Sequence, residues 1–324
     1  MALPDFFVIG APKCGTTALH TALHTHPQLF LSSVKEPKFF LCGEEPPPQQ
    51  NGPGDAHSAQ EWVWRRDRYE SLFDAAPPGT LKGESTPFYL SDFPAQLRLA
   101  EEVPEARLIA VLRDPVDRAY SNWAHLWADG LEPEADFLTA CALEDEREAA
   151  GWARFWHYRK LGRYGEQLEH LYSLFPTERV HVLRYRDLVD DPLGAVDGIC
   201  AFLGVETGLV DDVPSANVST YVPPSLATRV LQETLRRGAD VGRHFPPKLW
   251  RVASGPLLRA LQGRTTRVRP ELDPDDRLTL VAEFTDDVRL LETLTGRSFE
   301  DWLGHREGGA FTARKAAENA PAPG

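Results

Sequence analysis

The stretch that decides the fold covers residues 6–19 and reads FFVIGAPKCGTTAL. It begins as an apolar run short enough to be a buried strand, and glycines and a proline then interrupt it before a helical pattern starts. A strand, a glycine-bracketed loop and a helix start in this order form an anion cradle, because the first amides of a helix lack partners within the helix and point outwards. The stretch therefore predicts an anion-binding loop near the N-terminus.

The loop differs at one position from the phosphate loop of nucleotide-binding proteins. Its spacing is Gly10-x-x-x-x-Gly15-Thr16-Thr17, and nucleoside triphosphatases carry a lysine where this chain carries Thr16. The lysine of this chain, Lys13, lies earlier, so the cation reaches the anion from within the loop. This shift argues against ordinary ATP or GTP hydrolysis. A phosphate-loop kinase or triphosphatase and a non-catalytic nucleotide-binding protein stay open as alternatives.

Composition and charge limit the classes of function. The 324-residue chain is 42% hydrophobic and 26% charged, which is ordinary for a globular protein with a sizeable core. Its formal net charge of −13 disfavours a nucleic-acid partner, which usually requires a basic face. The four cysteines are scattered, which favours reduced thiols in a cytoplasm, and no apolar run approaches the ~20 residues of a membrane span. We expect a cytoplasmic protein with no membrane span; its oligomeric state is open.

Strands and helices alternate along the rest of the chain. Apolar runs predict strands over residues 107–113 and 180–185, and helical spacing predicts helices over 17–25, 61–73, 116–127, 192–203 and 278–294. Residues 82–89 have the composition of a turn. The alternation predicts an α/β fold with a parallel central sheet flanked by helices, built around the phosphate-loop-like strand-loop-helix, with ligands at the carboxyl ends of the strands.

A second motif lies at the end of the predicted strand 107–113. The segment LRDPVDRAYS, residues 112–121, places Arg113 at the strand end and Ser121 on the next helix. It resembles the 3′-phosphate motif of the sulfotransferases that use 3′-phosphoadenosine 5′-phosphosulfate (PAPS), in which an arginine and a serine grip the 3′-phosphate. Guanidinium suits this role because it is always charged and binds phosphate bidentately. The loop with Lys13 resembles the 5′-phosphosulfate loop of the same family.

Further stretches, from residue 6 to residue 302, are similar to bacterial and sugar-type (heparan or glucosaminyl) members of that family. The resemblance implies a phosphate-loop-type sulfotransferase fold. It also implies transfer of a sulfuryl group from PAPS to a hydroxyl or amine of a small-molecule or glycan-like acceptor, with adenosine 3′,5′-bisphosphate (PAP) as product and no metal required. The cofactor-binding residues that it implies are Lys13, Cys14, Gly15, Thr16, Thr17, Arg113 and Ser121.

The same resemblance indicates the catalytic residues. Lys13 would stabilise charge on the leaving phosphate, and Glu36 would be the base, because KEPKFF at residues 35–40 fits the run that holds the catalytic glutamate of glucosaminyl sulfotransferases. Glu84 and His125 are the alternative bases. The histidine setting of the aryl and steroid enzymes has no counterpart here, because no histidine occurs between Gln60 and Trp123.

The chain departs from the sugar-type pattern at one position. The sugar enzymes usually carry a lysine where this chain has Ser85, so Lys38 or Lys82 would have to replace that cation. The resemblance also aligns residues 217–220 weakly with a loop that related enzymes fold over the adenine and 3′-phosphate, and neither this loop nor Arg229 and Lys248 beyond it are counted among the cofactor-binding residues. We expect a single sulfotransferase domain over residues 1–305, with residues 42–60 as a flexible loop and substrate lid, and a disordered tail over 306–324.

Overall fold

Five parallel strands form the centre of the fold. The computed structural model describes residues 3–53, 62–214, 234 and 271–304. Within these residues the strands form one sheet in the order β2-β3-β1-β4-β5. They are β1 (Phe6–Gly10), β2 (Leu29–Leu31), β3 (Leu81–Ser85), β4 (Arg107–Leu112) and β5 (Val180–Arg184). The predicted α/β class with a parallel central sheet is therefore confirmed.

Helices connect the strands and pack around the sheet. In the described part of the chain they are α1 (Thr16–His24), α2 (Phe39–Cys42), α3 (Arg66–Glu70), α4 (Phe93–Glu102), α5 (Pro115–Ala128), α6 (Phe137–Ala142), α7 (Glu144–Ala149), α8 (Tyr164–Leu174), α9 (Tyr185–Asp190), α10 (Pro192–Leu203) and α11 (Pro274–Thr295). The helices predicted over residues 17–25, 116–127, 192–203 and 278–294 are present as α1, α5, α10 and α11. No helix among the described residues has the length and apolar character to cross a membrane.

The central strand β1 is buried along its whole length. It pairs with β3 along one edge and with β4 along the other, and all five of its residues are buried, so both of its faces are covered. The side chains of Phe6 to Ile9 have no solvent-exposed surface. Burial of each such side chain contributes about 1.5–3 kcal/mol. The apolar run that predicts a buried strand is thus explained by the central position of β1.

The order of the strands determines where a ligand can bind. The chain passes from β1 to β2 and β3 on one side of the sheet, then crosses to β4 and β5 on the other. The carboxyl ends of β1 and β4 therefore lie side by side, and the Ala11 amide donates to the Val111 carbonyl over 2.8 Å. Ligands of open parallel sheets bind at such a switch of direction. The loop after β1 and the residues after β4 consequently face one site.

Two sequence predictions are corrected here. Residues 82–89 do not form a turn throughout, because residues 81–85 are strand β3. Glycine, glutamate and serine are weak strand formers, but here the ladders to β1 and β2 and complete burial outweigh propensity. Gly83 is needed because a Cβ there would lie 2.1 Å from the Phe6 ring. The helix predicted over residues 61–73 is shorter, since α3 begins at Arg66 and a 3-10 turn follows it.

Several predictions fall wholly or partly outside the described residues. The segment 217–220, with Arg229 and Lys248, lies outside them, as does the tail over 306–324. The predicted lid over 42–60 is described only as far as residue 53. These remain predictions.

A buried ion pair attaches α11 to the start of α5. Asp114 caps α5 by accepting hydrogen bonds from the Val116 and Asp117 amides over 3.0 and 3.1 Å. Its other carboxylate oxygen pairs with Arg277, which also reaches Asp117 over 3.1 Å. A buried pair of this kind is strongly destabilised when one partner is removed, since a buried charge is left alone. Arg277 therefore fixes the helix that carries Ser121.

Candidate active site

The loop after β1 brings a cation and a helix N-terminus together. Gly15, with φ of 81°, ends the loop and precedes α1, whose first residues are Thr16 and Thr17. Only glycine adopts this conformation readily, and a Cβ there would also lie 2.9 Å from the Tyr185 ring. Lys13 has φ of 68°, in the left-handed region that non-glycine residues avoid. The helix start offers partly positive amides, and Lys13 adds a full charge next to them.

Cys14 lies beneath the loop and not in the cleft. Its thiol is fully buried near the Tyr164 hydroxyl, and its amide donates to the Ala11 carbonyl over 3.2 Å. Burial raises the pKa of the Cys14 thiol. Among the predicted phosphosulfate-binding residues, the structure therefore places Lys13, Gly15, Thr16 and Thr17 in the cleft and leaves Cys14 behind them.

Arg113 and Ser121 lie near the loop that follows β1. Arg113 follows β4 directly, and its guanidinium donates to the Lys13 carbonyl over 3.4 Å while lying 5.0 Å from the centroid of the Tyr185 ring. Both Arg113 and Ser121 line the same cleft as Lys13. Tyr185, the residue directly after β5, was not predicted. Its position at the carboxyl end of a parallel strand is the signal that identifies it.

Glu36 lies in a tight turn against the end of β3. Its amide donates to the Ser85 carbonyl over 3.0 Å, and its carboxylate pairs with Lys35. The Ser85 hydroxyl, at the position where the resemblance leads us to expect a lysine, hydrogen-bonds to His20 over 2.9 Å. Of the two lysines considered as replacements, Lys38 lines the cleft, and Lys82 is not among its lining residues.

Backbone strain marks this cleft. Four non-glycine residues of the described chain have positive φ, and three of them, Lys13, Glu36 and Lys38, line the cleft. Such conformations cost on the order of 1–3 kcal/mol each and persist where the surrounding structure enforces them, often at functional sites. The cleft has a volume of about 1090 Å³. Ligand pockets usually measure roughly 300–1,000 Å³, so there is room for a nucleotide and part of a second molecule.

The turn that holds Glu36 and Lys38 is supported from below by buried polar groups. The Lys38 amide donates to the Thr86 hydroxyl, and the Phe40 amide to the Tyr89 hydroxyl, both over 3.3 Å. Glu84 lies in this layer, fully buried, and accepts a hydrogen bond from the Tyr69 hydroxyl over 2.5 Å. Burial raises the pKa of Glu84 to about 7. Glu84 does not line the cleft, so the structure places it as a support of the turn.

Replacing Glu84 should change how stability depends on pH. Because its pKa rises from 4.5 unfolded to about 7 folded, the stability that protonated Glu84 contributes is fully present below pH 4.5 and is lost as pH rises through 7. Relative to Glu84→Gln, the wild type should lose roughly 3 kcal/mol over this range. Urea unfolding at several pH values measures this difference. Glu101→Gln, at an exposed position on α4, is the control, and a wild-type curve parallel to that of Glu84→Gln would contradict the assignment.

A second titratable pair lies beside Lys13. His125 on α5 and Asp129, the residue directly after this helix, line the cleft with their Nε2 and Oδ2 atoms 3.6 Å apart. Desolvation in the cleft is the main cause that lowers the pKa of His125, and the positive charge of Lys13 lowers it further. Desolvation raises the pKa of Asp129. The site thus holds a histidine that favours its neutral form, and Asp129 was not predicted.

Aromatic side chains form the remaining wall. Phe155 makes edge contacts with His125 and with Phe88, each at 5.8 Å between ring centroids. Trp62 lies opposite Lys38, whose ammonium is 5.4 Å from the centroid of the indole ring. No cluster of His, Cys, Asp and Glu suited to a metal occurs among the described residues.

Comparisons with known proteins identify the family. A family model described as "Sulfotransferase family" matches residues 4–209, more than half of the chain. The chain therefore belongs to the sulfotransferase family. This confirms the resemblance that the two sequence motifs indicate.

Individual relatives agree with the family. Human heparan sulfate glucosamine 3-O-sulfotransferase 3B1 is 29% identical over 210 residues, which are 64% of this chain and 48% of that protein. Human bifunctional heparan sulfate N-deacetylase/N-sulfotransferase 3 is 29% identical over 255 residues, 76% of this chain and 27% of that protein. The chain thus spans about half or less of these curated relatives. A solved sulfotransferase from Alicyclobacillus acidocaldarius superposes with a TM-score of 0.71 at 29% identity, over 93% of this chain and 99% of that one.

Proposed function

We propose that this protein transfers a sulfuryl group from PAPS to a hydroxyl or amine of a small-molecule or glycan-like acceptor. One observation carries the proposal: the cation of the loop, the Arg113–Ser121 pair and the Glu36 carboxylate line one cleft at the switch point of the sheet. The family supports sulfuryl transfer, and the cleft supports PAPS as donor, since it offers separate sites for a 5′-phosphosulfate and a 3′-phosphate.

Each residue of the site has a separate role in this reaction. PAPS supplies an activated sulfuryl group, whose sulfur bonds to the acceptor oxygen or nitrogen while its bond to the bridging phosphate oxygen breaks and PAP is released. Lys13 and the first amides of α1 stabilise the charge that develops on the departing phosphate. Arg113 and Ser121 hold the 3′-phosphate and thereby orient the donor. Glu36 takes the proton from the acceptor.

The geometry favours Glu36 over Glu84 as the base. Glu36 lines the cleft, in a strained turn that buried side chains support. Glu84 has no exposed surface and does not line the cleft, so it has no route to an acceptor. His125 also lines the cleft and is the alternative base. Glu36 and His125 predict different losses of turnover on substitution.

Nucleotide binding tests the donor assignment. In EDTA, PAP should stabilise the wild type against heat more than ATP with magnesium does in a parallel experiment. Arg113→Ala should weaken PAP binding about 10²-fold, because charged bidentate hydrogen bonds to the 3′-phosphate are lost. Binding of adenosine 5′-phosphosulfate, which lacks this phosphate, should change by less than about threefold. Calorimetric titration measures both affinities.

The control is Arg186→Ala, which removes a surface arginine that pairs with Asp190 on α9. It should leave both affinities unchanged. Equal losses for PAP and adenosine 5′-phosphosulfate in Arg113→Ala would contradict the 3′-phosphate assignment. Tighter binding of magnesium-ATP than of PAP by the wild type would favour a phosphate-loop kinase or triphosphatase instead.

A further inference from the structure

Apolar and aromatic side chains make up much of the cleft wall beyond the residues assigned to the donor. This wall begins beside the residues proposed for the reaction. The Phe155 ring contacts His125, and His125 lies near enough to Lys13 for the lysine charge to help lower its pKa. Among the apolar residues that line the cleft are Leu41, Trp62, Pro87, Phe88, Phe155 and Trp156. Trp62, Phe88 and Phe155 are only half-buried there. Large aromatic surface left partly open in a concave site favours a ligand with an apolar body.

The charges in the cleft argue against a polyanionic acceptor. Four cations line the described cleft, and two of them, Lys13 and Arg113, are assigned to the donor. Arg154 is already paired with Asp92 over 2.8 Å and donates to the Ser91 carbonyl over 3.1 Å. Among the described residues that line the cleft, this leaves Lys38 as the one cation assigned neither to the donor nor to an ion pair. Its ammonium lies near the indole ring of Trp62.

Asp129 offsets that remaining cation. Glu36 also lines the cleft, where Lys35 already pairs with it, and a bound donor would bring its own phosphates and sulfate. A sulfated glycan would then add negative charge beside negative charge in a partly desolvated site, where such repulsion is strong. Recognition of a polyanion requires several cations placed for bidentate contacts, which the described lining does not offer once the donor is bound.

We infer that the acceptor is an uncharged molecule with a ring-bearing apolar body, held by Trp62, Phe88 and Phe155, which presents its hydroxyl to Glu36. This inference rests on the proposed function, because it assigns the acceptor of that reaction. It separates this chain from the substrates named in its heparan sulfate relatives. The indole and phenyl rings contact the apolar part of the acceptor, and Lys38 lies near the hydroxyl that reacts.

Paired probes test the inference on the full chain saturated with PAP. Calorimetry compares 2-naphthyl β-D-glucoside with methyl β-D-glucoside, which lacks the rings, and with 2-naphthyl β-D-glucuronide, which adds a negative charge. The naphthyl glucoside should bind at least about tenfold more tightly than either, because only it buries the rings without a charge penalty. A sulfated heparan tetrasaccharide should bind more weakly than the naphthyl glucoside.

Two substitutions locate the binding surface. Trp62→Ala and Phe155→Ala should each weaken the naphthyl glucoside about tenfold while leaving PAP affinity within about twofold, which also shows that the variants are folded. Leu97→Ala, at a position 46% exposed on α4, is the control and should change neither affinity. Tighter binding of the tetrasaccharide, equal binding of glucoside and glucuronide, or no effect of either aromatic substitution would overturn the inference. Failure of the wild type to bind PAP would instead count against the proposed function.

Discussion

Glu36→Gln is expected to lower turnover by about 10²–10⁴-fold, because it removes the group that accepts the acceptor's proton. The glutamine keeps the size and the polar oxygen of the side chain, so PAP affinity should stay within about threefold. Initial rates with labelled PAPS and calorimetric titration with PAP measure the two quantities. A loss confined to turnover would show that Glu36 acts in the chemical step and not in donor binding.

The matched control for this substitution is Glu44→Gln. Glu44 is the fourth non-glycine residue with positive φ in the described chain, but it pairs with Arg66 and does not line the cleft. Its replacement should leave turnover unchanged. His125→Gln should cost less than Glu36→Gln if Glu36 is the base. Near-normal turnover of Glu36→Gln together with a collapse in His125→Gln would transfer the role to His125.

Lys13→Met should lower turnover by about 10²–10³-fold, the usual cost of removing one group that stabilises developing negative charge. Methionine matches the unbranched four-atom apolar part of the lysine side chain and, like lysine, must adopt the left-handed backbone conformation at this position, so the loop strain is unchanged. PAP lacks the sulfuryl group and is not in a transition state, so its affinity should fall by less than about tenfold. Single-turnover rates and PAP titration separate the two effects.

Lys160→Met is the control for the lysine substitution. Lys160 forms a surface ion pair with Glu148, and such pairs contribute little to stability. Its replacement should leave both turnover and PAP affinity unchanged. If Lys13→Met weakened PAP binding as much as it lowered turnover, Lys13 would serve uniform binding of the nucleotide and not the leaving phosphate in particular.

The donor side of the site could be predicted from sequence because its signals are local. The β1 run, the glycine spacing and Lys13 lie within fourteen consecutive residues, and Ser121 lies on the helix that begins just after Arg113. Parallel topology then brings the two strand ends together. Glu36 was predicted through a resemblance. Its position in the cleft depends on the hydrogen bond from its amide to the Ser85 carbonyl at the end of β3, which the sequence pattern did not indicate.

The acceptor side could not be predicted because it is assembled from distant segments. Trp62, Phe88 and Phe155 are separated by tens of residues and meet only after the sheet and its connections have formed. Strand β3 was missed because it contains glutamate and serine, which rarely occur in buried strands. Here both are buried, because they lie beneath the cleft. Arg277 gave no local signal either, since its partner Asp114 lies 163 residues earlier in the chain.

The most direct test of the proposed chemistry is to count products. The wild type would be incubated in EDTA with ³⁵S-labelled PAPS and an uncharged ring-bearing alcohol, and the released PAP and the labelled acceptor would be quantified together. Sulfuryl transfer predicts equal molar amounts of the two in the wild type, and almost none of either with Glu36→Gln. PAP binding without a labelled acceptor product, across neutral and charged acceptors alike, would contradict the account.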